Sequence, residues 1–264
     1  MTPATDHSLP IIDLHSHLVP GVDDGTRTST ESLAALAGLY REGVRLAVTT
    51  PHLLVPRLES DAALGRELDG HRRAFDQLAQ VMSGRQDLPS LVLGQEIWAP
   101  DGAAVRRVVR RTDVGLNGNF LLVEFGFELQ GDHSDVIREV LDAGRQILIA
   151  HPERYEYLPG YDPVELMQQW QEEGALLQVN VGSLNGHYRN SSPGSEELAW
   201  RMVEFGLVDV LATDHHGPRR AGVSPLEVLE TLIARGELAL ARRAMVETPG
   251  LIVRSDLVAS GLPG

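Results

Sequence analysis

The stretch Asp142-Ala-Gly-Arg-Gln-Ile-Leu-Ile-Ala-His-Pro-Glu-Arg154 holds the plan of the whole chain. A helical segment ends at Gly144, a residue suited to the positive φ that closes a last turn. Gln146–Ala150 follows, a short Ile/Leu run of the kind buried on both faces in a parallel sheet. The run stops at His151, Glu153 and Arg154. Similar helix closures occur at Arg41-Glu-Gly-Val44, Gln171-Glu-Glu-Gly-Ala175 and Glu204-Phe-Gly-Leu207. The apolar runs are Leu9–Leu14, Val44–Thr49, Ser90–Leu93, Phe120–Val123, Gln146–Ala150, Leu176–Val179 and Val208–Ala212.

Helical spacing predicts helices over Ser29–Glu42, with a Ser29/Thr30 cap, and over Asp61–Met82. It predicts four more over Asp132–Gly144, Pro163–Gly174, Pro193–Gly206 and Ser224–Arg235. Strand alternating with helix about seven times calls for parallel pairing through right-handed crossovers. The expected architecture is α/β, a (β/α)-barrel of seven strands rather than an open doubly wound sheet. No linker or composition shift divides the chain. One domain is therefore expected over residues 1–264, with its core at about 11–249.

Composition narrows the chemistry. The 264 residues include 23 basic, 37 acidic and 10 His, with no Cys, and every basic residue is Arg. Without Cys there is no thiolate nucleophile and no thiolate metal site. Without Lys there is no Walker-type phosphate loop and no Schiff base. The net charge of −14 argues against a nucleic-acid binder. No apolar run approaches the ~20 residues of a membrane helix, and no basic-then-apolar leader is evident. The expectation is a cytoplasmic protein that is not integral to a membrane.

Sites in parallel α/β folds lie at the carboxyl ends of the strands. There the chain places His15-Ser-His17 with Asp23-Asp24-Gly25, then Thr50-Pro-His52, Glu96, Glu124, His151, Asn180 and Asp214-His-His216. Any one of these has a bland reading, because His-x-His can be a hydrogen-bonded loop and Asp-Asp-Gly a plain turn. Together they converge too many carboxylates and imidazoles for packing to compensate, and divalent cations would do so. Mixed His and carboxylate ligands suit Mn²⁺, Fe²⁺ or Zn²⁺. Such clusters activate water and hold the oxygens of an in-line displacement at phosphorus. Ser16, between two His, would point away from them and is no nucleophile. Arg154 is placed to grip an anionic oxygen, unless it pairs at the surface with Glu153 or Glu156. Arg189, Arg219 and Arg220 are further substrate-binding candidates, and His187 is a candidate contact. His71 and His133 read as a polar helical face and a helix start.

The ordered set resembles the PHP (polymerase and histidinol phosphatase) superfamily. More narrowly, it resembles the manganese-dependent tyrosine-protein phosphatases found with bacterial capsular and exopolysaccharide genes. The phrases that carry the likeness are Asp13-Leu-His-Ser-His-Leu-Val-Pro-Gly-Val-Asp-Asp-Gly25, Thr50-Pro-His52, Gly94-Gln-Glu-Ile97, Ile149-Ala-His-Pro-Glu-Arg-Tyr155 and Gln178-Val-Asn-Val-Gly-Ser-Leu184. The resemblance implies a distorted (β/α)₇ barrel and a three-metal cluster of Mn²⁺. It implies His15, His17, Glu96 and Asp214 at one metal, Glu96, Glu124 and His151 at a second, and Asp24, His52 and His216 at a third. It further implies a phosphate grip by Arg154 and a metal-bridging hydroxide attacking phosphorus, with Asp24, His52 and His216 completing the catalytic set. The implied substrate is a phosphotyrosine protein, a tyrosine kinase of polysaccharide export. A small-molecule phosphatase of the histidinol-phosphate kind and a non-catalytic regulator of that kinase are the alternatives. The chain departs from the family at His187-Tyr-Arg-Asn-Ser-Ser192, at His215 and at Arg219-Arg220, all at the rim.

Overall fold

The computed structural model describes residues 9–116, 119–218 and 223–259. Its strands are β1 (Ile11–Asp13), β2 (Val44–Thr49), β3 (His52–Leu54), β4 (Ser90–Leu93), β5 (Glu96–Trp98), β6 (Phe120–Glu124), β7 (Gln146–Ala150), β8 (Leu176–Asn180) and β9 (Val210–Ala212). All pair in parallel, in the orders β1-β2-β4 and β3-β5-β6-β7-β8-β9.

The expected strand positions hold to within two or three residues at their ends, but two strands continue beyond the expected stop. β3 resumes β2 after Thr50-Pro51, and β5 resumes β4 after Gly94-Gln95. Pro51 lacks the amide that would extend the first ladder. The bonds Gly94 N–H to Thr49 O (2.8 Å) and Glu96 N–H to Pro51 O (3.3 Å) carry the pairing across both breaks. Counted as paths, seven strands follow one another around a ring in chain order. This is the distorted seven-stranded α/β arrangement, with two of its staves kinked.

The ring joins β9 to β1 by a seam rather than a ladder. A single parallel bridge links Ser16 and His215. His17 N–H donates to His215 O and Asp214 N–H to His15 O, each at 2.8 Å. Buried Asp13 accepts from the Thr213 amide at 2.9 Å and the Thr213 hydroxyl at 2.6 Å. Burial pushes the Asp13 carboxyl up to about 6 against these bonds.

Alternate strand residues serve two cores, as the period of 2 requires. Leu121, Val123, Ile147, Ile149, Leu177, Val179 and Leu211 pack outward with the helices. Leu122, Leu148, Val210 and Ala212 pack inward with Leu14 and Val48. Ile252 and Val253 join that inner layer together with Ile12, Leu46, Phe120 and Leu176 from the amino ends of the strands. The apolar filling sits at one end, so the polar residues are left the other. β4 departs from the expected full burial, with Ser90 exposed and Leu91, Val92 and Leu93 half-buried.

The helices are α1 (Ser29–Arg41), α2 (Asp61–Met82), α3 (Gly102–Arg106), α4 (Ser134–Asp142), α5 (Pro163–Glu172), α6 (Val181–Leu184), α7 (Ser195–Glu204), α8 (Pro225–Ala234), α9 (Leu238–Arg242) and α10 (Thr248–Ala259). The cap of α1 is Thr28, one residue before the expected pair, its hydroxyl accepting from Glu31 N–H. Asp162 and Ser224 cap α5 and α8, each with Pro in the first turn. Among the described residues no helix is long and apolar enough to cross a membrane.

Replacing Asp13 by Ala orphans the amide and hydroxyl of Thr213 across the seam. We expect a loss of about 2 kcal/mol in unfolding free energy, measured by urea denaturation of metal-stripped protein, with Asp13→Asn losing less.

Candidate metal centre

Every strand path except β8 delivers ligand-type side chains to one end of the ring. β1 runs into His15 and His17, whose alternate spacing turns both the same way. Ser16 points the other way, as expected, its hydroxyl donating to Val48 O at 3.0 Å. The turn Asp23-Asp24-Gly25 folds back on this segment. A Cβ at Gly25 would lie 2.1 Å from His17 O, so only glycine permits the approach. β3 and β5 begin with His52 and Glu96, register partners across one ladder. The kinks that begin these strands therefore set two ligand-type residues side by side. β6 ends in Glu124.

His151 and Asp214 follow β7 and β9 in the left-handed region, at φ 33° and 49°. His133 is the one other described non-glycine residue with positive φ. Two strained backbones of three thus sit at this rim, where the strain aims a side chain inward.

These groups meet within short range. Four sets have ligand atoms within 4.8 Å of one another: His17, Asp24, His52 and His216; His15, Glu96 and His151; His15, His17 and Asp214; His52, Glu96 and Glu124. Their union is the nine residues expected from sequence. His15 Nε2 stands 3.2 Å from His17 Nε2, 3.4 Å from Glu96 and 3.5 Å from Asp214. His52 Nδ1 lies 2.7 Å from Glu96 Oε2, yet both atoms are buried without a hydrogen bond. Three imidazoles have their outward nitrogen occupied. His17 Nδ1 meets Asp23 at 2.7 Å, His216 Nδ1 meets Asp214 O at 2.8 Å and His15 Nδ1 meets Gln178 Oε1 at 2.9 Å. When those nitrogens donate, each Nε2 turns a bare lone pair inward. Five imidazoles, four carboxylates, crowded lone pairs and orphaned buried atoms fit the donor set of a divalent-metal cluster.

The charges agree. Glu96 and Asp214 are buried, which alone would raise them, but the facing imidazoles hold both well below the carboxylate range. Burial and then the charge of Glu96 push Glu124 up to about 7. Burial opposes a proton on His52, yet Glu96 lifts it to about 10. Protons balance the site where cations would otherwise do so.

Above it opens a cleft of about 940 Å³ whose lining includes Asp24, His52, Glu96, Glu124, His151, Arg154, Asp214 and His216. Trp98, Phe127, His187 and Tyr188 give it aromatic walls, and Arg57, Ser191 and Ser192 also line it. Arg154 does not pair with Glu153 or Glu156. Its guanidinium donates to Asp214 at 2.8 Å and stands 4.1 Å from the Tyr188 ring and 5.0 Å from the Phe127 ring. Phe127 is 45% exposed. Glu153 is buried, accepting from Asn180 N–H and the Ser183 hydroxyl.

Two sequence expectations fail. Arg189 is held at the surface by Glu196 at 2.6 Å and does not line the cleft. His71 is not on a polar face but buried, on the same stripe as Leu64, Leu68 and Leu78. Arg219 and Arg220 lie outside the described residues. The aromatic walls beyond His187, and the pairing of Asp23 with His17, were not anticipated. For Asp23 a signal existed, because a second acid beside a ligand is suited to orient an imidazole. The partners of Arg154 follow from tertiary approach alone.

A family described as "Capsular polysaccharide synthesis, CpsB/CapC" matches residues 11–246. The chain is 30% identical over 229 residues to "Tyrosine-protein phosphatase YwqE" of Bacillus subtilis, covering 84% of each. It is 24% identical over 257 residues to "Tyrosine-protein phosphatase CpsB" of Streptococcus pneumoniae, covering 94% of this chain and all of the relative. Among solved structures it superposes with a TM-score of 0.69, at 26% identity over 89% of this chain and 96% of the other, on a structure from work on YwqE and S. pneumoniae CpsB, described there as unique metal-dependent tyrosine phosphatases.

The shared position of Glu96 makes a graded prediction. Glu96→Ala should lower Mn²⁺ uptake by more than one equivalent, and Glu124→Ala by at most one, as read by elemental analysis after gel filtration. Asp214→Gly should be about 1 kcal/mol more stable than Asp214→Ala in metal-free protein, since glycine relieves the positive φ. Thermal unfolding of the two variants checks this.

Proposed function

The chain belongs to the CpsB/CapC family of capsular polysaccharide synthesis, and from that membership and the cage geometry we propose that it is a metal-dependent protein-tyrosine phosphatase, with residues 11–249 acting as one catalytic unit. The observation that carries the reading is the convergence of nine ligand-type residues beneath a cleft whose guanidinium lies over two aromatic rings.

In the proposed assignment His15, His17, Glu96 and Asp214 hold one ion. Glu96 is shared with a second, completed by Glu124 and His151, and Asp24, His52 and His216 hold a third. Mn²⁺ is the proposed metal. Bound divalent ions would supply acidified water and neutralise developing charge at phosphorus. Arg154 binds the phosphoryl oxygens. Asp214 and the two rings restrict its rotation, so the guanidinium is held in place at the cleft wall. Trp98 and Phe127 offer flat apolar surface to an aryl ring seated above the phosphate. Asp24, its side chain 48% exposed and within 3.4 Å of His52 and His216, is the most open of the proposed ligands. A tyrosyl leaving group, with a pKa of about 10, depends less on a proton donor than an alkyl alcohol does. The proposed physiological substrate is a phosphotyrosine on a tyrosine kinase of polysaccharide export.

The test is hydrolysis by purified protein. Mn²⁺-loaded enzyme should cleave a phosphotyrosyl peptide faster than histidinol phosphate, lose activity to chelator and regain it with Mn²⁺. Thiol alkylation should leave it unchanged. Arg154→Ala should cost about 10²–10³ in kcat/KM. Absence of turnover with every divalent metal, or an unaffected His151→Ala variant, overturns the reading. In a second measurement, Phe127→Ala should lower kcat/KM for an aryl phosphate more than for an alkyl phosphate.

A further inference from the structure

β8 is the one strand path that brings no metal-ligand side chain to the rim. It ends instead in Gln178 and Asn180, both wholly buried and, at positions two apart, on the same face. Two neutral amides at the wall of a charged site have no packing reason to be there, and burying them costs free energy unless both are satisfied. They are satisfied, in one line. Asn180 Nδ2 is 2.8 Å from Asp214 Oδ2, Gln178 Nε2 is 2.7 Å from Asn180 Oδ1, and His15 Nδ1 is 2.9 Å from Gln178 Oε1.

The direction of this line follows from its end. Asp214 Oδ2 also accepts from Arg154, so it is an ionised acceptor and Asn180 must turn its NH₂ toward it. The Asn180 carbonyl oxygen then faces Gln178, which must turn its own NH₂ to meet it. That leaves the Gln178 carbonyl oxygen facing His15, and His15 Nδ1 must carry the proton. We infer that Gln178 and Asn180 are positioning residues, an amide relay through which the Asp214 carboxylate fixes the tautomer and ring orientation of His15. His15 Nε2 and Asp214 Oδ1 both face into the cage, 3.5 Å apart. The relay ties their outward atoms together, so the two turn as one unit. At His17 and His216 a carboxylate or a backbone carbonyl holds the outward nitrogen directly. Here an amide pair spans the distance, keeping a further negative charge away from a crowded wall.

The inference rests on the cage being a metal site, and the test separates the two. Mn²⁺ titration of metal-stripped wild type, Gln178→Met and Gln178→Glu is paired with NMR of the Zn²⁺-loaded proteins. Orienting partners of metal-bound imidazoles are worth about 10–100-fold in affinity. That loss is expected in Gln178→Met, while Gln178→Glu keeps the acceptor for His15 but sets a carboxylate oxygen against Asn180 Oδ1, and so recovers only part of the affinity. The His15 Nδ1–H should give a slowly exchanging resonance in wild type and Gln178→Glu, and lose its protection in Gln178→Met. Asn180→Asp should weaken Mn²⁺ binding while leaving that resonance in place, and it carries the test if Gln178→Met fails to fold. Wild-type affinity in a folded Gln178→Met or Asn180→Asp variant, or equal losses in both Gln178 variants, overturns the relay. A wild type that takes up no Mn²⁺ overturns the cage itself, and the relay with it.

Discussion

The structure turns on a charge problem that its own side chains solve only with borrowed protons. Five imidazoles and four carboxylates share one buried end of a barrel. Coulomb repulsion among such groups grows as the surroundings lose water. The result is an uneven settlement, with Glu96 and Asp214 driven down, Glu124 driven up and His52 lifted. Packing would never select this arrangement. It persists because the backbone over-determines it, through two left-handed residues, a glycine pressed against a carbonyl and two interrupted strands.

Those interruptions are how the fold reaches so many ligand-type groups from so few strands. A straight strand presents its inward side chains along its length, most of them buried in the apolar layer. Breaking β2 from β3 and β4 from β5 restarts the ladder one step higher and brings His52 and Glu96 level at the rim. The opposite wall works differently. There Arg154, Tyr188 and Phe127 stack, and Asp214 serves two roles, with Oδ2 engaged by Arg154 and Asn180 while Oδ1 faces the imidazoles.

Much of this was legible in the sequence because two signals are local. Short apolar runs separated by capped helical segments specify parallel α/β, and the residue after each run names the rim. The nine convergent residues all lie among those strand-end groups, and the family resemblance separates them from Asp23, Asn180 and His215. β3 and β5 were hidden because Thr50-Pro51 and Gly94-Gln95 look like strand ends, and only the neighbouring strand shows the pairing continuing. Arg189 misled because its cleft-ward reading ignored an acid seven residues ahead. His71 falls three residues after Leu68 on the buried stripe of α2, so its burial was readable in the helical period and was outweighed by its polarity. The stacking of Arg154 was out of reach, since it depends on two loops meeting in space.

The seam between β9 and β1 has a cellular consequence. Residues 13–17 and 213–216 both close the barrel and present His15, His17, Asp214 and His216. A ring joined there by one bridge and a few hydrogen bonds is at its weakest where the proposed ions would sit. Ligands that bind only the native state stabilise it by mass action. Metal supply would then govern how long the chain survives proteolysis, as well as how fast it works. A cell short of the ion would hold less of the protein, with no change in its synthesis.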